Sequence, residues 1–290
     1  MKRVAIYVAV LALLGGGLYW MYERGQGRDI PSTPPAGAPK EGTCYKVDAA
    51  GAKAALPWDG QPVDCAGPHT VELFHVGQVS KDLLHRLDAA KGEDVKIAQA
   101  LLYAQARRAC LVTGPIFLGG AWHESKVQLV ASWIKPATDG FFGCGVAEVT
   151  GPTGEQFAPH TGSLKGALTP GSPLSIACVQ QDGQQLRYVG CDQTHDGEYT
   201  GVYIITPAEA PFDEAAVKSA TAKGCTTVGL QYLALPDDGS RDDLTSGSVG
   251  PKTASDWLGS DQTFACYLMS PKPLKATVKG LGKGPLPLAV

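Results

Sequence analysis

The chain has 290 residues, 44% hydrophobic and 18% charged, which is apolar material for two ordinary domains. Lys plus Arg number 25 against 28 Asp plus Glu; a net charge of −3 excludes the strong basic field of a nucleic-acid binder and gives no pull toward a highly acidic partner. Gly 36 and Pro 21 mark many turns and linkers but fall short of a collagen-like or wholly disordered composition.

The chain opens with an apolar segment. Val4 to Tyr22 is uncharged, lies between Lys2-Arg3 and Glu23-Arg24, and is just long enough to cross a hydrocarbon core as a helix. Tyr19, Trp20 and Tyr22 sit at its far end, where amphipathic rings favour the membrane interface. A cleavable signal peptide is the rival reading, because Val8 to Leu14 forms a short apolar core followed by Gly15-Gly16-Gly17. No convincing A-x-A site follows and no cysteine is placed for a lipid anchor, so residues 1–24 are expected to be an uncleaved signal anchor. Arg24 and Arg28 nearly balance Lys2 and Arg3, which leaves orientation to the cysteines. An even set of 8 fits disulfides in an oxidising compartment. The expectation is a single-pass cell-membrane protein, N-terminus cytoplasmic and everything beyond Tyr22 extracytoplasmic.

Residues 25–41, with prolines at Pro31, Pro34, Pro35 and Pro39, read as an extended stalk. A first module is expected over 42–149, a Gly/Pro/Thr/Ser-rich linker over 150–173, and a second module over 174–270. Residues 271–290 place Lys272, Lys275, Lys279 and Lys283 among Pro and Gly and read as a flexible basic tail. Each module runs strand, strand, strand, helix, final strand, so the fold class expected is α+β, as two tandem, homologous, disulfide-stapled domains. In the first, a helix over 94–111 carries Ile97, Leu101, Ala104 and Ala109 on one side. In the second, strands over 175–181 and 184–191 flank Asp182-Gly183, a hairpin signal; a third strand follows, then a helix with Asp213 as N-cap.

The modules repeat one pattern. Cys44, Cys65, Cys110 and Cys144 are answered in order by Cys178, Cys191, Cys225 and Cys266. Around the second cysteine of each, V-x-C-x3-H-x2-E recurs, giving His69 with Glu72 and His195 with Glu198. Cys110, Gly114, Phe117 and Leu118 align with Cys225, Gly229, Tyr232 and Leu233, and Trp133 with Trp257. If Asp182-Gly183 is a two-residue turn, Cys178 faces Arg187 and Cys191 lies about 13 Å further along, beyond disulfide reach. The first-to-second pairing is therefore disfavoured. First-to-third with second-to-fourth, and first-to-fourth with second-to-third, both stay open.

These residues resemble the septum formation domain of actinobacterial extracytoplasmic proteins. Gly42-Thr43-Cys44, Cys65, Pro68, His69, Glu72, Cys110, Trp133 and Cys144 carry the resemblance in the first module. Cys178, Cys191, His195, Glu198, Cys225, Trp257 and Cys266 carry it in the second, where Thr194 replaces the proline before the histidine and Ala177 departs from the polar residues usual before the first cysteine. The resemblance implies membrane-attached or lipoprotein forms outside the cell and an association with cell division; it supplies no reaction.

The Cys, His and Glu of the repeated element could fix a turn, form a binding surface, or hold zinc. Turn-fixing is the expectation, because a cysteine in a disulfide cannot ligate and residues three apart on a strand face opposite sides. Trp133 and Trp257 are expected to fill cores rather than form a ligand platform. No G-x-S-x-G elbow, Walker loop, H-E-x-x-H pair or dinucleotide fingerprint is present, and no cofactor or metal is expected. Duplicated modules on a stalk suit repeated weak binding with raised effective concentration. The expected role is a non-enzymatic binding or scaffolding factor in division or envelope biogenesis, with division-site or cell-wall partners and the membrane itself contacted through residues 4–22. An envelope-acting enzyme with an unrecognised site, or a sensor or structural ectodomain, is the alternative.

Overall fold

The computed structural model describes residues 37–53, 62–134, 140–154, 156–175, 178–183, 185–206, 211–258 and 262–289; the expected anchor and most of the stalk lie outside them. Among the described residues no helix is long and apolar enough to cross a membrane. The first half contains β1 (Thr43–Tyr45), α1 (Ala49–Lys53), β2 (Val71–Gln78), α2 (Lys81–Ala89), α3 (Glu93–Leu118), a 3-10 turn (Trp122–Glu124), β3 (Val127–Ile134) and β4 (Phe141–Glu148). The second half contains β5 (Cys178–Asp182), β6 (Gln185–Val189), β7 (His195–Ile204), α4 (Glu214–Tyr232), β8 (Thr245–Val249), α5 (Ala254–Leu258) and β9 (Thr263–Leu274). Two antiparallel sheets, ordered β1-β2-β4-β3 and β6-β5-β7-β9-β8, carry these helices, so the class is α+β. The edge strands β3 and β8 are the elements that the expected order lacked.

Strand alternation explains where the first core sits. Along β4, Phe142, Cys144 and Val146 point to the side covered by α3, while Phe141 and Ala147 point to the opposite side with Tyr45, Val71, Leu73 and Val130. Helix α3 packs close to the sheet because Gly114 lies against it; a Cβ there would come within 2.6 Å of Leu129. It ends at Gly119, left-handed at φ 76, whose N–H donates to the Pro115 carbonyl. Its buried face carries Ala98, Leu102, Ala106, Ala109 and Cys110, and Ile97 is 51% exposed. Of the expected face, Ala104 and Ala109 are buried, whereas Ala98 and Leu102 take the places expected for Ile97 and Leu101; the bridge from Cys110 to Cys144 fixes which side meets β4. Helix α4 begins where expected, with the Asp213 carboxylate accepting from the Ala216 N–H at 2.9 Å.

The two sheets share their registers. Cys44 stands opposite Glu72, and Cys178 opposite Glu198; Glu72 stands opposite Val146, and Glu198 opposite Leu268. Both β2 and β7 then shift register before the partner cysteine, between Leu73 and His75 and between Tyr199 and Gly201, and β7 also shifts between His195 and Gly197.

The disulfides overturn the expected pairing. Cys44 joins Cys65, Cys110 joins Cys144, Cys178 joins Cys191 and Cys225 joins Cys266. The hairpin closes at Asp182 with Gln185 rather than at Gln181 with Gln184, so Cys178 faces Val189, not Arg187. Past Val189 the chain turns, Gln193 N–H donating to the Gly190 carbonyl at 2.9 Å, and Cys191 comes back to a Cα separation of 5.1 Å from Cys178.

Two segments expected to be loose are folded. Leu164, Leu168 and Leu174, from the expected linker, belong to the first core. In the expected flexible tail, Val278 is fully buried, packed with Leu274 and Leu233, and Lys275 N–H donates to the Pro287 carbonyl at 2.9 Å. Glu41, at the end of the expected stalk, accepts from the Val76 N–H at 2.9 Å. Trp133 lies on β3 opposite Phe142, whereas Trp257 lies on α5 near Phe212, so these tryptophans are not structural counterparts.

Candidate functional site

Of the residues singled out by the repeated C-x3-H-x2-E element, His195 and Glu198 meet in the second half, while His69 and Glu72 in the first each find separate partners. Thr194-His195 follows the turn that closes the Cys178–Cys191 loop, and β7 starts at His195, which puts His195 and Glu198 at the strand's beginning, both fully buried. His195 Nδ1 lies 2.8 Å from the Gln193 carbonyl, and Nε2 lies 3.1 Å from Glu198 Oε1. Three further donors reach the same carboxylate: Tyr232 hydroxyl to Oε2 at 2.6 Å, Thr277 hydroxyl to Oε2 at 2.8 Å, and Val278 N–H to Oε1 at 2.8 Å.

Burial alone would push the Glu198 carboxyl up. The hydrogen bonds from His195, Tyr232, Thr277 and Val278 outweigh it and hold the pKa below the ordinary carboxylate value. Burial likewise opposes charge on His195, but the Glu198 bond, the Gln193 carbonyl and the nearby carboxylates of Glu198 and Asp196 together raise its pKa. Burial and then Glu198 raise the Tyr232 phenol, which stays a donor. The result is a desolvated histidine–carboxylate pair whose polar atoms are each engaged.

The first half repeats this clasp with fewer bonds. His69 Nδ1 lies 2.9 Å from the Gly67 carbonyl, and buried Glu72 accepts from the Ser163 hydroxyl and the Leu164 N–H, each at 2.7 Å. His69 Nε2 is buried with no hydrogen bond among the described residues. Phe117, the counterpart of Tyr232, offers no hydroxyl and stacks on Phe74 at 5.0 Å instead.

The carboxylates therefore capture segments that the sequence reading left outside the modules. Ser163-Leu164-Lys165-Gly166 and Thr277-Val278-Lys279-Gly280 are the same motif: each hydroxyl also accepts from the lysine N–H two residues on, at 3.1 Å. Gly166 and Gly280 are left-handed, at φ 69 and 70, and donate to the carbonyls of Phe117 and Tyr232. An [ST]-[LV]-K-G signal at the end of each copy was legible in the sequence and would have extended both modules.

Zinc chemistry does not fit this donor set. Cys178, His195 and Glu198 converge within 4.8 Å, but the Cys178 sulfur is bonded to Cys191 and both Glu198 oxygens already accept two bonds each. What the arrangement can do is hold chain segments against a sheet. Trp257 is buried, 3% exposed, and Trp133 packs at the margin of the first core, so neither forms an open platform.

Comparison with known proteins matched no curated protein and no solved structure. A family model described as septum formation matches residues 41–266, from just before β1 into β9, and takes in His69, Glu72, His195 and Glu198. That span covers most of the chain, which therefore belongs to the septum formation family.

Proposed function

We propose that the chain is a tandem duplication of one septum formation domain, anchored by residues 4–22 and displayed outside the cell as a non-enzymatic binding or scaffolding factor in division or envelope biogenesis. The observation that carries this reading is the pair of clasps. The recurring chemistry, His195 with Glu198 and Glu72 with its captured segment, holds the fold: the groups are buried and engaged internally, unlike a catalytic acid or base, which must reach a substrate. Registers shared between the sheets support duplication, and four disulfides support an oxidising location. The uncharged run and its flanking aromatic residues support the anchor.

The test is capture of division proteins and cell-wall polymer from envelope fractions by the full-length chain, with turnover of muropeptides followed in the same samples. Specific retention without turnover is expected. Turnover that disappears on His195→Ala would replace this reading with an envelope-acting enzyme.

A further inference from the structure

Between the two halves runs a cleft that the clasps do not use. One cavity in it, ≈ 400 Å³, is walled by β3 and the 3-10 turn on one side and by β8 and β9 on the other, a size suited to one or two sugar rings. A second cavity of ≈ 420 Å³ shares Val149, Thr153 and Tyr188 with it, so the groove is elongated, as a polymer requires. The halves are tied together beside it by Tyr188 N–H donating to the Thr150 carbonyl at 2.9 Å.

The lining combines aromatic rings with cations that have no carboxylate partner among the described residues. Trp122, Tyr103 and Tyr188 contribute half-buried rings, Trp122 carrying His123 at a centroid distance of 3.7 Å, while Tyr267, 2% exposed, forms the floor. Arg107 lies over the Trp122 ring at 5.2 Å and donates Nη1 to the Leu129 carbonyl at 2.8 Å. Its remaining guanidinium donors have no carboxylate within ion-pair distance among the described residues, although the side chain is only partly exposed. On the other wall, exposed Lys252 has no carboxylate on its ammonium among the described residues. Asp256 is engaged at the start of α5, where it accepts from the Lys252 and Thr253 N–H groups. A half-buried guanidinium fixed by stacking, with its fork left open, is built for an oxygen anion. One aspartate beside two cations leaves a surplus suited to a monoanion, and stacked rings suit the C–H face of a pyranose.

We propose that this groove binds an acidic glycan strand, with Arg107 and Lys252 holding a sugar-borne carboxylate and the aromatic faces holding the rings. The inference deepens the binding role proposed above and rests on that reading.

The experiment is calorimetric titration of the purified full-length chain in detergent with an N-acetylglucosaminyl-N-acetylmuramic acid disaccharide, its methyl ester, and glucose 1-phosphate. Saturable binding of the acid is expected, with the ester and the phosphate each about tenfold weaker. Arg107→Ala should weaken the acid about tenfold and leave the ester unchanged. Lys252→Glu, an exposed substitution that leaves the core intact, should weaken it in the same direction. Equal affinity for acid and ester, preference for the phosphate, no saturable binding, or indifference to both substitutions overturns the inference. Failure here with division partners still retained from envelope fractions removes the glycan site alone; loss of all retention removes the binding role itself.

Discussion

Glu198 receives four hydrogen bonds and Glu72 two, which makes the halves an internal comparison. Removing a buried carboxylate strands its donors, so Glu198→Ala is expected to cost about 3 to 5 kcal/mol and Glu72→Ala less, read as urea midpoints of the oxidised chain. The pair also sets a pH window. Glu198, depressed in the folded state, contributes fully above its unfolded value of 4.5 and loses that contribution as pH falls through the folded value. His195, elevated in the folded state, contributes fully below 6.5 and loses it as pH rises through the folded value. The thermal midpoint of the second half should therefore be highest between these limits and fall toward alkaline pH, and His195→Gln should flatten that alkaline fall.

At the scale of elements, the captured segments are as much part of each half as its strands. Ending the chain after Leu274 would remove the Thr277 and Val278 donors and the buried Val278 side chain. The expected cost is about 3 to 5 kcal/mol in urea unfolding, whereas a free tail would cost nothing. The lysines spaced through this stretch made it look soluble and loose, since Lys275 and Lys279 are exposed, but the alternate Leu274, Val278 and Leu281 face the core. Gly280 permits the turn: valine there would be forced into a left-handed conformation costing about 1 to 2 kcal/mol. A lower melting temperature for Gly280→Val, with Gly171→Val as the exposed left-handed comparison, would separate loss of the captured segment from backbone strain alone.

For the whole molecule, the four bridges close loops spanning 21, 34, 13 and 41 residues, and each pairs neighbours within one half. Chain-entropy reasoning assigns each about 3 to 4 kcal/mol, a large share of a small domain's stability. Mass mapping of non-reduced peptides should return those four pairs and none between halves, and reduction should unfold the chain at 37 °C. A bridge between halves would contradict the architecture.

The sequence by itself determined the α+β class and the helix start at Asp213, and its recurring C-x3-H-x2-E pattern marked His195 and Glu198. These depend on local pattern: alternation, a capping side chain and residues recurring at fixed offsets. Only the tertiary structure decided the disulfide partners, because a two-residue shift of hairpin register and the turn after Val189 bring Cys191 to Cys178. The recurring [ST]-[LV]-K-G signal flags 163–166 and 277–280, but the tertiary structure decided what holds them, because the partner is a buried carboxylate some 80 to 90 residues earlier in the chain. The cleft around Arg107 is likewise tertiary, since its walls come from strands of both sheets, and no local pattern records which surfaces will face each other.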